Sequence, residues 1–448
     1  RRALHAAALR GLSGEDASAL RRRARHAAAC GAHEESFSAW FSLGEAARGA
    51  HRYVEAEQDY SHALAQLPEG DTARRARVLA GRGRVRYRIQ RFREALGDLG
   101  EVRALASGLG DTALEVDLLL EEATVLDWME DTEGSAARAA EALERAEALD
   151  EPRLSLRCSL ARGRLHVRQG EWERAVRVLS STAEGAALAR EHETHAISLT
   201  LLGSVLAVLE RADEAAERFA EALALCQRTG DALHLAATLI NRTFLWRLRG
   251  DVEANERDLR QALAVARELG HAQVERWSLG QLAECLHWMG RSEEALPLAR
   301  RAHELGLRFF GEHPVAVDAV LLSRIGAAYG DWQEVQRQLD WLATHCPPER
   351  VPPNTEVLRR MVALRQREAS APLPTGHAEW EALAAEAEPQ ASGDELTELL
   401  HEATLSALRA GRQREAEAWL ARAERSAMAS PLWRPRLEAL RARLGTPA

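Results

Sequence analysis

The sequence predicts an all-α fold, a right-handed α-solenoid of helix hairpins, from three observations. Ala, Leu, Glu and Arg dominate the 448 residues while aromatic residues make up 5%, a composition that favours helix over strand. Apolar residues recur at helical spacing along most of the chain. One residue pattern also returns about every 40 positions, which indicates stacked repeats rather than a single core.

The repeat is a small residue, an aromatic or equivalent nine positions later, Ala three positions after that, and Ala again seven positions further. Clear copies are Gly44, Tyr53, Ala56, Ala63; Gly83, Phe92, Ala95, Val102; Gly163, Trp172, Ala175, Thr182; and Gly203, Ala212, Ala215, Ala222. Weaker copies are Thr124, Glu133, Ala136, Leu143; Thr243, Val252, Asn255, Ala262; Ala283, Ser292, Ala295, Ala302; Ser323, Trp332, Val335, Leu342; and Thr404, Gln413, Ala416, Ala423.

The spacing within each copy predicts two amphipathic helices with a breaker between them, such as Gly170 or Gly250. The small residue and the two Ala positions let the two backbones approach closely, and we expect the aromatic residue to fill the space beside them. A single hairpin cannot bury its apolar face. We therefore expect hairpins to stack and to contact only their neighbours.

The order of small, aromatic and two Ala positions resembles the tetratricopeptide (TPR) repeat, over roughly residues 33–345 and 395–430. The period is longer than the usual TPR length of 34 residues and resembles extended variants found in regulator and adaptor proteins. By length alone, the alternative is a HEAT or armadillo repeat. The order of the residue types favours the TPR-like interpretation.

We expect four regions. Residues 1–32 are a basic helical lead-in, 33–346 hold about eight TPR-like repeats, 347–430 hold degraded and late repeats, and 431–448 form a C-terminal capping helix. Six prolines disturb the third region, where we expect helices at about 355–369 and 376–388 with either a long surface loop or a hinge. They are Pro347, Pro348, Pro352, Pro353, Pro372 and Pro374.

The sequence argues against several kinds of catalytic and metal-binding site. The chain contains no Lys, which excludes a P-loop or a protein-kinase site within it. His192 and His195 fall one residue short of the H-E-x-x-H metal motif, so we predict a helix start there and no metal site. We predict no catalytic residues and no cofactor.

The net charge and the cysteines indicate which partners and which cellular compartment to expect. A net charge of −9 argues against nucleic acid as a partner, and the lack of a long apolar stretch argues against a membrane. Five dispersed cysteines indicate reduced, mostly buried thiols in a cytoplasmic protein.

The TPR resemblance implies that the first helix of each hairpin lines a concave groove. Arg pairs with carboxylates and Trp supplies large buried area, so such a groove suits a peptide or protein with acidic and apolar groups. The alternative for each residue is a structural role. Arg stands at every Lys or Arg position of the chain, so some arginines must face inward, and Trp128 or Trp288 could fill the interface between neighbouring hairpins. The predicted protein-binding residues are Arg84, Tyr87, Arg88, Trp128, Arg164, Arg168, Phe244, Arg247, Trp277, Glu284, His287 and Trp288.

The opening segment, with Arg22–Ala29, Gly31 and Trp40–Ala47, resembles the junction that follows the ATPase module of bacterial STAND-type signalling proteins, including fusions to serine/threonine kinases. This implies the sensor or regulatory arm of a larger protein, with an intramolecular ATPase or kinase domain as partner. The chain begins with Arg1 and in mid-pattern, as expected of a piece of a longer polypeptide. The alternatives are a free-standing adaptor that assembles a protein complex and, third, an enzyme with its site in the groove.

Overall fold

A computed structural model describes residues 1–14, 16–147, 149, 151–309, 312–348, 351–370, 376–389, 393–426 and 431–445. These residues form 23 α-helices, and none of them lies in a strand. The prediction of an all-α chain is confirmed.

The helices follow one another as hairpins. Two helices come first, α1 (Arg2–Gly11) and α2 (Ala17–Cys30). The first helices of the hairpins are α3 (His33–Gly49), α5 (Thr72–Arg88), α7 (Thr112–Trp128), α9 (Pro152–Arg168), α11 (His192–Val208), α13 (Ala232–Arg249), α15 (Ala272–Trp288), α17 (Glu312–Tyr329), α19 (Pro353–Ser370) and α21 (Gly393–Arg409). The second helices are α4 (Tyr53–Leu64), α6 (Phe92–Leu109), α8 (Thr132–Ala146), α10 (Trp172–Ala189), α12 (Ala212–Thr229), α14 (Val252–Leu269), α16 (Ser292–Phe309), α18 (Trp332–His345), α20 (Gly376–Ala387) and α22 (Gln413–Ser426). A 3₁₀ turn (Pro431–Trp433) leads into α23 (Arg434–Leu444).

In each hairpin whose turn the structure describes, one turn residue has a left-handed backbone conformation. Gly170 and Gly250 take left-handed φ angles of 69° and 68°, which glycine adopts without steric cost. Gln90 and Glu130 take the same conformation at the equivalent positions, with φ of 63° and 61°. The breakers predicted from the sequence are thus turn residues, and the turn repeats even where no glycine is present.

The small residue of the repeat does allow close packing, but its neighbour differs from the prediction. A Cβ atom at Gly44 would lie 2.9 Å from the ring of Tyr60, and one at Gly163 would lie 2.6 Å from Leu179. In both hairpins the space is filled by the residue sixteen positions later, not by the aromatic residue nine positions later as we expected. The residue four positions beyond the first Ala shares its helix face, which is why it points at the glycine.

One repeat was placed out of register by the sequence pattern. The copy built on Ala136 is wrong by one residue, because Ser135 and Ala142 are the buried positions while Ala136 is only half-buried. A small polar residue at the core position and a run of alanines beside it explain the error. With Ser135 in place, this position falls 40 residues after Ala95 and 40 before Ala175.

The chain divides into two compact units. The first unit is Arg1–Leu209, Glu217–Leu235 and Leu269–His271, and the second is Glu210–Ala216, Ala236–Glu268 and Ala272–Ala448. The core of the second unit includes the buried indoles of Trp380, Trp419 and Trp433. Smaller clusters, one of them built around Trp40 and Tyr60, form the core of the first unit.

The proline-rich region forms helices where they were predicted. Helices α19 and α20 lie within about two residues of the predicted 355–369 and 376–388, and α23 (Arg434–Leu444) lies inside the region 431–448 where we predicted the final helix. Pro372 and Pro374 lie outside the described residues. Four cysteines (Cys158, Cys226, Cys285 and Cys346) are buried, as expected.

Candidate binding site

The first unit carries a row of ion pairs along the first helices of successive hairpins. Arg84 on α5 donates from Nε to Glu121 on α7 at 3.0 Å and pairs with Asp117 one turn earlier. Arg157 on α9 binds the same two carboxylates from the other side, with Nη2 to Glu121 Oε1 at 2.9 Å. The row therefore links α5, α7 and α9 through shared carboxylates.

A cleft opens beside this row, between α7, α8 and α9, with an empty volume of about 370 Å³. Arg164 donates from Nη1 to Asp127 Oδ2 at 3.1 Å, and Arg168 pairs with the same carboxylate. Arg168 also donates to the hydroxyl oxygen of Ser135 at 3.1 Å. The full lining is Leu120, Ala123, Thr124, Asp127, Ser135, Ala139, Arg157, Leu160, Ala161, Arg164 and Arg168, an apolar floor rimmed by arginines.

A second cluster in this unit surrounds Arg88 and Glu193. The two side chains form an ion pair, and the buried Tyr87 donates its hydroxyl to Glu193 Oε1 at 3.1 Å. Burial alone would raise the pKa of Glu193, but the positive charges of Arg88, His234 and Arg157 together hold the pKa below its usual value. Nearby, burial lowers and the Asp231 carboxylate raises the pKa of His234, and the net shift is upward.

This cluster corrects one expectation. We expected each hairpin to contact only its neighbours, yet Arg88 belongs to the hairpin of α5 and Glu193 to the hairpin of α11. Gln90 likewise donates from Nε2 to the carbonyl of Gly270 at 2.9 Å. Long polar side chains thus bridge hairpins that do not follow one another in the chain.

Trp128, another predicted binding residue, lies at the end of α7. Its ring is half-buried, 5.4 Å from the imidazole of His271 and tilted by 54°. Burial lowers the pKa of His271 to about 4, so this imidazole is neutral at neutral pH.

In the second unit, two predicted residues, His287 and Trp288, bind one buried carboxylate together with Arg324, which was not among the residues predicted from the sequence. Glu398 on α21 accepts from His287 Nε2 at 3.0 Å, from Trp288 Nε1 at 2.8 Å and from Arg324 Nε at 3.0 Å. Burial would raise the pKa of Glu398, but the Arg324 guanidinium and His287 lower it well below its ordinary value. Burial also lowers the pKa of His287, more than the carboxylate raises it.

The remaining predicted residues of this unit differ in exposure. Arg247 pairs with Asp394 and lies over the Trp288 ring, with Cζ 5.1 Å from its centroid. Glu284 accepts from Arg324 Nη1 at 2.6 Å. Trp277 is half-buried, whereas Phe244 keeps 46% of its surface exposed.

The structure adds residues that the sequence prediction missed. Arg157 lies seven positions before Arg164, a helical spacing that already places both on one face of α9. Glu193 stands between His192 and His195, and nothing local in the sequence shows that it reaches Arg88. Glu398 lies about 110 residues from the indole that it binds, so local sequence gives no signal for it either.

Helix α11 begins at His192, as predicted, and among the described residues no group of three or more His, Cys, Asp or Glu could hold a metal ion. None of the described helices combines the length and apolar character needed to cross a lipid bilayer.

Comparison with known proteins rests on structure alone, because no protein-family model and no curated protein sequence matches the chain. A Rap protein in complex with competence and sporulation factor matches with a TM-score of 0.54 and 14% identity, over 84% of this chain and 99% of that one. Aspartyl phosphate phosphatase F from Bacillus subtilis matches with a TM-score of 0.52 and 11% identity, over 82% and 96%.

A third match is a STAND protein with a tetratricopeptide repeat sensor from Pyrococcus horikoshii. Its TM-score is 0.45 at 14% identity, over 83% of this chain and 55% of that one. Together with the helix hairpins described above, the two stronger similarities establish the fold. The chain is an all-α solenoid of TPR-like helix hairpins.

Proposed function

We propose that this chain is a non-catalytic scaffold that holds a protein or peptide segment carrying acidic and apolar groups. The cleft between α7, α8 and α9 is the proposed contact surface. The observation that carries the proposal is its lining, in which Arg157, Arg164 and Arg168 rim a floor of Leu120 and Leu160. Guanidinium groups pair with carboxylates in fixed geometry, and an apolar floor gives a partner side chain area to bury.

The same lining supports a binding role rather than catalysis. Among the described residues, those that line the cleft include no His, Cys or Glu, and Asp127 is paired with two arginines. General acid–base catalysis calls for such a group, and the Ser135 and Thr124 hydroxyls of the lining would need one as a base to act as nucleophiles. A Rap protein of the same fold is known in complex with competence and sporulation factor, which is consistent with a fold that holds partners.

The twelve residues predicted from the sequence divide by exposure within this proposal. We assign direct contact to Arg164 and Arg168, and in the second unit to Phe244, which is 46% exposed. Tyr87, His287 and Trp288 are buried, and we assign them the role of holding the first helices in place. Arg88, whose side chain is 9% exposed and paired with Glu193, belongs with these structural residues, and the other five predicted residues stay candidates for contact.

We further propose that the chain is the regulatory or sensor part of a larger bacterial signalling protein, in which an ATPase or kinase domain is the intramolecular partner. This step rests on the resemblance of the opening segment to a STAND-type junction. A G-x-x-x-x-G-K-[ST] or kinase H-R-D motif upstream in the full reading frame would support it. A start codon immediately before Arg1 would favour the free-standing adaptor instead.

Charge reversal tests the cleft. Arg164→Glu with Arg168→Glu should abolish capture of protein partners, because acidic groups would then face the partner's acidic groups. Arg174→Glu is the matched control, since Arg174 is an exposed arginine in the same unit and outside the cleft. Affinity capture with mass spectrometry would compare the three proteins, and cross-linking to the cleft would identify the captured segment.

Equal yields of the same proteins from the double variant and from the wild type would contradict the proposal, provided that the thermal unfolding curves agree. A captured segment that is basic rather than acidic would contradict it as well.

A further inference from the structure

The Arg164 and Arg168 guanidiniums share one carboxylate. Arg164 uses only Nη1, which donates to Asp127 at 3.1 Å and to the Thr124 hydroxyl at 3.5 Å. Arg168 uses only Nη2, which donates to the other oxygen of Asp127 and to Ser135. A guanidinium carries five N–H donors, so Nε and the second Nη of both arginines have no partner among the described residues.

The charges of Arg164, Arg168 and Asp127 do not balance. Two cations meet the single negative charge of Asp127, since the third arginine of the cleft, Arg157, is already paired with Asp117 and Glu121. A carboxylate carries one charge and two acceptor oxygens. It can neither neutralise both guanidiniums nor engage the fork of donors on each of them.

A phosphoryl group matches the charges and donors of Arg164 and Arg168 better than a second carboxylate does. It carries a charge of about −1.5 to −2 at neutral pH and three strong acceptor oxygens. Two arginines four positions apart on one helix face offer two forks, and the hydroxyls of Thr124 and Ser135 lie beside them. The cleft is partly open to solvent, so a phosphoryl group on a partner side chain can approach the two guanidiniums from outside.

We propose that Arg164 and Arg168 bind a phosphoryl group carried by a protein partner, and that Asp127 occupies its place in the free chain. This inference rests on the proposed function and adds the chemistry of the partner. Asp127 competes with the phosphoryl group for the same donors and repels it. Removing the charge of Asp127 therefore strengthens phosphate binding, and removing the guanidiniums weakens it.

Inorganic phosphate is a suitable probe. Its dissociation constant would be measured by titration calorimetry at constant ionic strength for the wild type and for three variants. Asp127→Asn should bind phosphate about tenfold more tightly, and Arg164→Gln with Arg168→Gln should bind it at least about tenfold more weakly. Arg174→Gln, outside the cleft, should leave the constant unchanged. Acetate, which offers only a carboxylate, should bind more weakly than phosphate.

Any one of three results would overturn the inference. The first is equal phosphate affinity in the wild type and in the double Gln variant. The others are acetate binding as tight as phosphate binding, and weaker phosphate binding by Asp127→Asn than by the wild type. The Asn variant guards against misfolding as an explanation, because tighter binding cannot arise from lost structure.

The two proposals fail separately. If phosphate does not bind but charge reversal still abolishes partner capture, the scaffold function stands and the phosphoryl group is excluded. If phosphate binds but charge reversal leaves capture unchanged, the proposed function at this cleft is wrong, and with it the assignment of the phosphoryl group to a protein partner.

Discussion

Arg88 on α5 forms an ion pair with Glu193 on α11, 105 residues further along the chain. The Arg88 side chain is almost fully buried, and its guanidinium also lies 4.4 Å from the centroid of the Tyr87 ring. Glu193 raises the pKa of Arg88 against the opposing effect of burial. The pair therefore fixes the first helices of two separated hairpins of the first unit.

Glu193→Ala should destabilise the first unit, because it leaves the buried Arg88 charge without a carboxylate to pair with. Loss of one member of a fully buried pair costs about 3–5 kcal/mol, but the Glu193 carboxylate is 46% exposed and water will compensate in part. We therefore expect a loss of about 1–2 kcal/mol in the free energy of unfolding, measured by urea denaturation.

Arg218→Ala provides the control, because its partner Glu221 is a surface residue of the same unit. An exposed pair contributes little, so this change should cost less than about 1 kcal/mol. If both variants lose the same small amount, the Arg88 pair has no special role in stability.

Glu398→Ala should lower the free energy of unfolding more than Glu193→Ala does. The carboxylate is 1% exposed, and its removal leaves Arg324, His287 and Trp288 without their common acceptor. We expect a loss of about 3–5 kcal/mol in unfolding free energy. Glu417→Ala, an exposed site on α22, is the control and should change stability by less than about 0.5 kcal/mol.

A double variant separates the pair from its surroundings. Arg324→Ala with Glu398→Ala should be less destabilised than the sum of the two single changes, because neither charge is then left alone. Additive losses would mean that the two groups act independently despite their contact.

The helices were largely predictable from the sequence because their signals are local. Spacing of 3.6 residues and a repeat of 40 positions depend only on residues near each other in the chain. The errors were local as well. Ser135 was passed over for Ala136 since both are small, and the partner of Gly44 is Tyr60 rather than Tyr53.

The polar partners could not be predicted in the same way. Helical spacing places Arg88, Arg247 and His287 on first helices, but their partners are Glu193, Asp394 and Glu398, more than 100 residues away in each case. Which of them meet depends on small rotations from hairpin to hairpin, which the repeat pattern does not encode.

Ala295→Leu tests the register of the repeat directly. Ala295 is fully buried on α16 in the core of the second unit, so a larger side chain must displace its neighbours. We expect a loss of about 1–3 kcal/mol in unfolding free energy. Ala264→Leu is the matched control, because Ala264 is exposed on the second helix of the preceding hairpin. Equal melting temperatures for the two variants would show that the register is wrong.

The pH dependence of stability offers a test at His271. Burial lowers the pKa of this imidazole to about 4, from an ordinary value of 6.5. Its contribution to stability is therefore fully present above pH 6.5, where the unfolded form is also neutral. It is lost as the pH falls from 6.5 towards 4, since only the unfolded form takes up a proton in that range.

Between pH 8 and pH 5 this one residue should cost about 2 kcal/mol of unfolding free energy. His271→Gln should remove that part of the pH dependence, whereas His192→Gln, at an exposed position, should leave it intact. The measurement is urea denaturation at both pH values, with the difference compared among the three proteins. Buried histidines elsewhere in the chain also affect the total, so the informative quantity is the change in slope on replacing His271. An unchanged slope would mean that His271 is not held neutral by burial, and its packing beside Trp128 would need another explanation.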